Sequence, residues 1–281
     1  MSVWLVTGAS RGLGAEIVKG ALDAGHHVVA TARKPDGITA RFPDAGQALL
    51  ALPLDVTDAA QAEVAVHDAV DRFGRIDVVV NNAGRGLLGA VEEASDAAVR
   101  AVYDTNVFGT LTVLRAVLPV LRRQRAGRIV NISSIGGFVG SAGWGIYNST
   151  KFAVEGFSEA LAKELAPLGI AVTIVEPGYF RTDFLDSSSL HTEATVIADY
   201  AETAGATRTR AVGVNHAQPG DPAKAASAIL RIAEADQPPL RIQLGHDSLT
   251  AVAGKLESVA AEQQAWQDLS IATDHDDVAA H

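Results

Sequence analysis

Residues 7–14 read Thr-Gly-Ala-Ser-Arg-Gly-Leu-Gly and stand between a short apolar run and a segment with helical periodicity. Glycines at positions 8, 12 and 14 permit a tight turn and let the backbone approach a pyrophosphate, while the start of the following helix supplies free N–H groups and a partial positive charge. A strand before the turn and a helix after it therefore predict a dinucleotide-binding site. The residues expected at the phosphates are Gly8, Ser10, Arg11, Gly12, Leu13 and Gly14.

Outward from this turn, short runs rich in Val, Ile and Leu alternate with longer segments of helical period, as in repeated βαβ units. We predict an α/β fold: a doubly wound, Rossmann-type parallel sheet of seven strands, in the order 3-2-1-4-5-6-7, with helices on both faces. Asp58 and Asp221 precede the helices that they would cap. The predicted strands are 3–7, 26–32, 48–54, 76–81, 127–133, 169–175 and 239–244, and the predicted helices are 13–24, 58–73, 95–123, 148–166 and 221–235.

One segment interrupts this rhythm. Residues 183–216 carry clustered Ser, Thr and Ala, and no strand follows them directly. A long insertion late in an α/β domain is more often a mobile lid than structural filler, so we expect it to cover the substrate. Residues 1–245, including this lid, are predicted to form a single catalytic domain. Residues 246–281 are predicted to be a C-terminal extension, helical over 246–270 and frayed over 273–281.

Composition excludes several classes of function. The 281 residues carry 23 Lys+Arg against 33 Asp+Glu, a formal charge of −10, which argues against a general nucleic-acid or anionic-membrane surface. The chain has no cysteine, so disulfides, thiolate–metal sites and a cysteine nucleophile are excluded, and no metal is predicted. The start has no signal-peptide pattern, and no apolar stretch approaches the roughly 18 residues of a membrane span. We therefore expect a cytoplasmic protein.

The end of the second predicted strand bears on the choice of cofactor. In a dinucleotide site an acidic residue about 20 positions after the glycines usually binds the ribose 2′-hydroxyl. Here Ala32 stands at that place, and Arg33 follows it. A carboxylate would repel a 2′-phosphate, whereas a guanidinium binds it with two hydrogen bonds, and Arg11 in the glycine turn can converge on the same group. The pattern predicts NADP(H) rather than NAD(H).

Candidate catalytic residues cluster in the middle of the chain. Tyr147 and Lys151 are four residues apart, so they share one face of a predicted helix. The tyrosine reference pKa of about 10 is too high for efficient acid–base work near neutrality, and a nearby ammonium is expected to lower it. Polar runs at 81–84 (Asn-Asn-Ala-Gly) and 131–134 (Asn-Ile-Ser-Ser) close two strands at the sheet edge where ligands bind in such folds. Asn106 lies in the long helix predicted between them.

Taken together and in this order, these motifs resemble those of the short-chain dehydrogenase/reductase family, in its NADP(H)-preferring branch. The family's spacing of thirteen residues between serine and tyrosine selects Ser134 over Ser133. The resemblance implies a catalytic tetrad of Asn106, Ser134, Tyr147 and Lys151. Ser134 would hold the substrate oxygen and Tyr147 would exchange its proton. Lys151 would bind the nicotinamide ribose and lower the tyrosine pKa, while Asn106 would anchor a water that relays protons.

The resemblance covers about residues 2–245 and implies further cofactor contacts. Asp55 matches the residue that bonds the adenine amino group, and Thr182 belongs to the segment that binds the carboxamide. Long apolar helices at 95–123 and 148–166 make a homodimer or homotetramer the expected assembly. The cofactor contacts implied beyond the glycine turn are Arg33, Asp55, Val56, Asn82, Ala83, Gly84, Tyr147, Lys151, Pro177, Gly178 and Thr182.

Several activities compete on such a fold. The first is a metal-independent carbonyl reductase or alcohol dehydrogenase, which moves a hydride between nicotinamide and the substrate carbon. The second is an NADP(H)-sensing regulator without catalysis, which is expected to lose the tyrosine or the lysine, whereas this chain keeps both. A sugar-nucleotide epimerase or dehydratase favours a G-x-x-G-x-x-G turn and a larger C-terminal domain, and an enoyl reductase spaces its tyrosine and lysine further apart. The first activity fits best.

The residues expected to face a substrate are apolar and aromatic, without a charged clamp. This set predicts a hydrophobic ketone or secondary alcohol as the substrate. His191 and His216, in or near the lid, are expected to be solvated loop residues rather than ligands. The predicted substrate contacts are Ser134, Phe138, Trp144, Tyr147, Tyr179 and Phe184, with Leu87, Leu88, Val139 and Leu185 as further candidates.

Overall fold

A computed structural model describes residues 1–275, and nine strands lie in that part of the chain. They are β1 (Val3–Val6), β2 (His27–Ala32), β3 (Leu49–Pro53), β4 (Val78–Asn81), β5 (Gly86–Leu88), β6 (Gly127–Ile132), β7 (Ile170–Pro177), β8 (Leu190–Thr192) and β9 (Arg241–Leu244). Seven of them form one parallel sheet in the order β3-β2-β1-β4-β6-β7-β9. The predicted order is confirmed, since β5 and β8 pair with each other outside this sheet.

Helices cover both faces of the sheet. The helices of the described residues are α1 (Gly12–Asp23), α2 (Asp36–Arg41), α3 (Ala59–Phe73), α4 (Asp96–Tyr103), α5 (Gly109–Gln124), α6 (Gly145–Leu165), α7 (Ala206–Val214), α8 (Pro222–Glu234), α9 (His246–Ala265) and α10 (Gln267–Ile271). Side chains of α1 and α8 form one apolar core with the sheet, and those of α3, α5 and α6 form the other. Because apolar side chains cover both faces, β1 and β4 are buried along their whole length.

Two helix starts follow the predicted capping. Asp58 accepts a hydrogen bond from Gln61 N at 3.1 Å at the start of α3, and Asp221 accepts one from Ala223 N at 2.9 Å at the start of α8. Each carboxylate satisfies a backbone N–H that has no partner within its helix. Both predictions are confirmed.

The chain is helical from Asp96 to Gln124, as predicted for 95–123, but the helix contains a π turn. α4 ends at Tyr103, Asp104–Phe108 form one turn of π-helix, and α5 starts at Gly109. The sequence did not reveal the π turn, because the apolar period continues on both sides of a turn that takes in one extra residue. Glycine is needed after this turn, since a Cβ at position 109 would lie 2.5 Å from Val56 Cγ2. The wide turn carries Asn106, which is buried.

The segment 183–216 contains more structure than its composition suggests. It includes 3-10 turns at Asp183–Leu185 and Ala198–Tyr200, the strand β8, a π turn at Ala201–Gly205 and the helix α7. β8 pairs in parallel with β5. Neither strand was predicted, because three-residue strands are too short to show a periodicity. Buried Glu93 accepts a hydrogen bond from Ile197 N at 2.9 Å and pairs with Arg208, which fixes the middle of the segment to the body. Its movement as a lid stays a prediction.

After β9 the chain is helical, as predicted, in α9 and α10. Of the tail predicted to fray, residues 276–281 lie outside the described part, and residues 273–275 contain no helix. Among residues 1–275, no helix combines the length and the apolar character that crossing a bilayer requires.

Candidate functional site

A cleft of about 710 Å³ opens at the carboxyl ends of the strands and gathers most of the predicted site residues. Six of the predicted residues do not line it: Gly14, Asn106 and Phe138, and, among the further substrate candidates, Leu87, Leu88 and Val139. Phe138 follows the 3-10 turn Ile135–Gly137, and Ile135 and Gly136 take the place on the wall instead. The predicted residues that do line the cleft are Gly8, Ser10, Arg11, Gly12, Leu13, Arg33, Asp55, Val56, Asn82, Ala83, Gly84, Ser134, Trp144, Tyr147, Lys151, Pro177, Gly178, Tyr179, Thr182, Phe184 and Leu185.

The glycine turn has the backbone geometry that its sequence requires. Gly8 and Gly12 adopt positive φ angles of 63° and 54°, which side chains disfavour. A Cβ on Gly14 would lie 2.5 Å from Asn82 Nδ2 and closer still to the Gly8 carbonyl oxygen, so Gly14 is needed for packing rather than for the cleft surface. Within residues 1–275 no side chain caps α1, whose first N–H groups therefore remain available to an anion.

The run after β4 holds the turn in place. Asn82 Nδ2 donates hydrogen bonds to the carbonyl oxygens of Thr7 and Gly8, at 2.9 and 3.1 Å. In return, Thr7 Oγ1 accepts from the backbone N–H groups of Asn82 and Ala83, both at 3.0 Å. The Asn82 side chain is thus occupied in joining two loops, and its part in the cleft is to fix the shape of the wall.

Two arginines and one aspartate line the end of the cleft near α1. Arg33 follows the buried end of β2 and is itself exposed. Arg11 donates three hydrogen bonds to the segment after β7: to Ser188 Oγ at 2.8 Å, to Ser188 O at 3.0 Å and to Ser189 Oγ at 2.8 Å. Hydrogen bonds from Thr57 lower the pKa of Asp55, with a smaller contribution from the charge of Arg33. This end therefore combines two cations with a carboxylate that stays ionised.

Tyr147 and Lys151 occupy the deep end of the same cleft, one turn apart on α6. Both are 7% exposed. The tyrosine ring packs between Trp144 and Phe184, with ring centroids 5.6 Å away in each case. Lys151 Nζ donates to Ile132 O at 2.8 Å and lies 5.9 Å from the centroid of the Tyr147 ring. These contacts fix both side chains at the end of β6.

The protonation of this pair differs from the sequence expectation. Burial raises the pKa of Tyr147 to about 12, while the Ser134 hydroxyl acts in the opposite direction. Burial lowers the pKa of Lys151 to about 8, and the charge of Glu155 opposes this shift. The ammonium was expected to lower the tyrosine pKa, but the hydration that the phenol loses on burial has the larger effect. Lys151 Nζ is bound to the Ile132 carbonyl oxygen instead. At neutral pH the phenol is therefore protonated.

Asn106 lies behind the cleft, where its side chain makes three hydrogen bonds to protein groups. Its Oδ1 accepts from Arg85 N, and its Nδ2 donates to Arg85 O, both at 2.9 Å. Nδ2 also donates to Thr150 Oγ1 at 3.0 Å. Asn106 thus ties the π turn to the loop after β4 and to α6, one residue before Lys151.

Below Lys151 lies an acidic cluster that the sequence analysis missed. Arg241 Nε donates to Glu155 Oε2 at 2.9 Å and lies 3.5 Å from Glu176 Oε1, and Arg241 also pairs with Glu159. Glu155 and Glu176 are buried, and burial raises the pKa of each. The only signal in the sequence is the i, i+4 spacing of Lys151 and Glu155, which does not reveal that Arg241 joins them from β9.

The wall beyond Tyr147 is aromatic, with a polar mouth. Trp144, Tyr179, Phe184 and Leu185 line the interior, whereas Leu87, Leu88 and Val139 do not line the cleft. His191 is exposed, as expected, yet it lies on the wall. Sequence reasoning also missed these lining residues, which belong to none of the motifs: Arg85, Asp104, Asp183, Ser187, Ser188, Ser189 and Gln218.

This cleft fits a dinucleotide. One end offers the uncapped start of α1, the glycine turn and two arginines. The other end offers Tyr147, Lys151 and Ser134. Gly84 lies between the two ends, and a Cβ there would come 3.8 Å from Lys151 Nζ, so glycine keeps the approach to that ammonium clear.

Known proteins share both the sequence pattern and the fold. A model of the short chain dehydrogenase family matches residues 2–193. An oxidoreductase of Botryotinia fuckeliana is 39% identical over 96% of this chain and 98% of its own length. A 3-ketodihydrosphingosine reductase of Bacteroides thetaiotaomicron is 38% identical over 86% of this chain and 87% of its own.

Among solved structures, a short-chain dehydrogenase from Streptomyces avermitilis has a TM-score of 0.88 and 43% identity, covering 98% of this chain and 100% of that one. The structure of ElxO with NADP bound has a TM-score of 0.74 and 27% identity, covering 89% of this chain and 99% of that one. The family model spans more than half of the chain, and the two relatives named above align over 96% and 86% of it. This chain belongs to the short-chain dehydrogenase family of oxidoreductases.

Proposed function

We propose that this protein transfers a hydride between NADP(H) and a hydrophobic ketone or secondary alcohol, with Tyr147 as general acid and base and without a metal. The observation that carries this proposal is that one cleft joins the glycine turn and its two arginines to the buried Tyr147, Lys151 and Ser134. A dinucleotide seated on the turn would extend towards the tyrosine hydroxyl. The walls beyond this hydroxyl are aromatic and suit an apolar substrate.

NADP(H) is the cofactor that the charges favour. Ala32 leaves no carboxylate to repel a 2′-phosphate at the end of β2, and Arg33 and Arg11 supply guanidinium groups beside that place. The similar structure with NADP bound, ElxO, supports the same choice. Arg11 donates hydrogen bonds to Ser188 and Ser189, so it links the phosphate end of the cleft to the proposed lid.

The nicotinamide, when bound, supplies or accepts the hydride. The protein's task is then to move one proton and to hold the substrate oxygen. Tyr147, protonated at neutral pH, would donate its proton to the oxygen of a ketone as negative charge develops there. The Ser134 hydroxyl would hold the same oxygen, and the Lys151 ammonium would stabilise the phenolate that remains. In the direction of alcohol oxidation the phenolate would accept the proton instead.

A long-chain amino ketone is a second candidate substrate class. The relative from Bacteroides thetaiotaomicron is a 3-ketodihydrosphingosine reductase and aligns over 86% of this chain. In the cleft described above, Asp183 lies on the wall next to Phe184, so a carboxylate stands beside an aromatic surface. A substrate with an ammonium group next to an alkyl chain would find a partner for each part.

The test is NADPH oxidation over a panel of aromatic, aliphatic, steroid-like and long-chain amino ketones, with NADH in parallel. We expect turnover of apolar ketones and a clear preference for NADPH, and equal rates with NADH would contradict the role of the arginines. Tyr147→Phe should lower kcat by about 10²–10⁴-fold, the usual contribution of general acid catalysis. NADPH binding by this variant, measured by fluorescence titration, should stay nearly unchanged because the ring and its packing remain.

The same panel separates the enzyme from an NADP(H)-sensing regulator. A regulator would bind NADPH and turn over none of the ketones, and Tyr147→Phe would then change nothing measurable. An enzyme loses turnover in that variant while it keeps its cofactor. Unchanged turnover in Tyr147→Phe would show that another group carries the proton.

A further inference from the structure

From Leu256 onward, helix α9 presents an apolar face that no other part of residues 1–275 covers. Of its 20 residues only Ser248 and Val252 are buried, both within the first two turns. There the helix packs against β9 and the 3-10 turn Ile135–Gly137. Every residue from 256 to 275 is exposed. A helix of this length gains most of its stability from packing, so an uncovered apolar face indicates a missing partner.

The large apolar side chains from Leu249 to Trp266, the residue after α9, recur at alternating steps of three and four residues. This is the spacing of positions a and d in a heptad repeat, with Gln263 at the one polar position. The opposite face carries small or polar residues such as Ser258 and Ala261. The exposed members of the stripe, with their exposed fractions, are Leu249 (57%), Leu256 (54%), Val259 (45%) and Trp266 (64%).

We propose that α9 pairs in antiparallel orientation with α9 of a second copy of this chain, across a two-fold axis. In an antiparallel pair, position a of one helix meets position d of the other, so Leu256 packs on Val259 of the second copy and Leu249 packs on Trp266 of the second copy. In the same register Lys255 lies beside Glu262 of the second copy. The two-fold axis repeats this ion pair on the other side of the interface.

The antiparallel direction follows from the size of the body. Paired helices approach to about 8–10 Å between axes. A body of 245 residues has a radius of gyration of about 18 Å, so two bodies at the same end of such a pair would collide. In the antiparallel pair the bodies lie at opposite ends, and the tip of each helix reaches the base of the other.

The area and the charge both favour a second copy over a lipid surface. Covering the four exposed stripe residues together with Leu269 and Ile271 of α10 would remove about 500–600 Å² of apolar surface per chain, approaching the ~800 Å² per partner of a standard interface. From residue 246 to 271 the chain has one lysine against Asp247, Glu257, Glu262 and Asp268. An anionic membrane would repel this segment, whereas the Lys255–Glu262 pairing matches another copy of it.

The first test is the molar mass of the full chain in solution, measured by light scattering after size exclusion at concentrations of tens of micromolar. Leu256→Glu should halve the mass of the wild-type assembly, while Ala261→Glu on the opposite face should leave it unchanged. Circular dichroism shows whether both variants remain folded. A monomeric wild type, or an assembly that Leu256→Glu does not reduce, would overturn the proposal. Co-flotation of a monomeric wild type with phosphatidylcholine vesicles would do the same, and would assign the face to a membrane.

The second test uses charge and orientation. Lys255→Glu should weaken association by placing two carboxylates together, and adding Glu262→Lys should restore it. Because the chain has no cysteine, engineered thiols report on contacts cleanly. A mixture of Leu256→Cys and Val259→Cys chains should form disulfide-linked dimers at least several-fold faster than either variant alone. Equal rates would overturn the antiparallel register, and failure of the charge swap to restore association would overturn the ion pair.

Discussion

Arg241→Met would leave the carboxylates below Lys151 without their positive partner. Arg241 is in contact with Glu155 and Glu176, and it also pairs with Glu159. The first two carboxylates are buried, with exposed fractions of 6% and 0%. Removing one partner of a buried ion pair typically costs about 3–5 kcal/mol, since an uncompensated charge stays inside the protein. We expect a loss of this size in the free energy of unfolding near pH 8.

The loss should depend on pH in a defined direction. Burial raises the pKa of Glu155 and of Glu176 above their usual value, so the folded state holds protons that the unfolded state has already released. Stability then falls as pH rises from the unfolded pKa to the folded one, at about 1.4 kcal/mol per pH unit for each extra proton. Without Arg241 the pKa of each of these two carboxyl groups in the folded state rises further. The destabilisation should therefore be large at about pH 8 and smaller at about pH 5.5.

Urea unfolding followed by circular dichroism at both pH values gives the measurement. Arg231→Met is the matched control, because it makes the same chemical change at an exposed position in the last turn of α8. It should cost no more than about 0.5 kcal/mol at either pH, as exposed substitutions usually do. Equal losses for the two variants, or a loss for Arg241→Met that grows on acidification, would refute the buried-charge reasoning.

The remaining predictions concern the cleft. Gly14→Ala should weaken NADPH binding at least about tenfold, because the new methyl group would push the turn away from Asn82. The control variant Gly20→Ala lies in the same helix, where the new Cβ would meet Leu230 methyl groups at 3.4 Å, and it should bind NADPH normally. Titration of NADPH fluorescence compares the two variants, and equal affinities would contradict the crowding argument. Arg33→Ala should raise the KM for NADPH about tenfold or more and leave that for NADH nearly unchanged; parallel rises in steady-state assays would remove Arg33 from the phosphate site. For ketone reduction, kcat/KM should fall as pH rises through about 8, where Lys151 loses its charge, and a profile that stays flat to about pH 10 would exclude this lysine.

Burial sets the protonation state of Tyr147 and therefore the direction of proton transfer that this residue favours. Its pKa of about 12 means that the resting phenol keeps its proton, which suits a donor to a developing alkoxide better than a base at neutral pH. Alcohol oxidation should accordingly become faster at alkaline pH until Lys151 is deprotonated. The buried carboxylate of Glu155 opposes that deprotonation from one turn further along α6.

Local sequence was sufficient for the features that depend on neighbours in the chain. The apolar run Val78–Val80 indicates a buried strand because valines repeat without a polar face. Asp58 indicates a helix start because its carboxylate meets an N–H three residues on. The glycine turn and the spacing of Tyr147 and Lys151 likewise predicted one end of the cleft each. The topology of βαβ units then places both at the same sheet edge.

Tertiary structure alone decided the features in which distant residues meet. Arg11 binds Ser188 across 177 positions, and Glu155 meets Arg241 across 86, so no periodicity or motif records either contact. The π turn at Asp104–Phe108 was hidden because one extra residue hardly changes an apolar pattern, although it turns Asn106 towards Arg85 and Thr150. The pKa of Tyr147 belongs to the same class. The nearness of Lys151 in the sequence predicted a lowered pKa for Tyr147. In the fold, Trp144 and Phe184 pack on the tyrosine ring, and the hydration lost on burial raises its pKa instead.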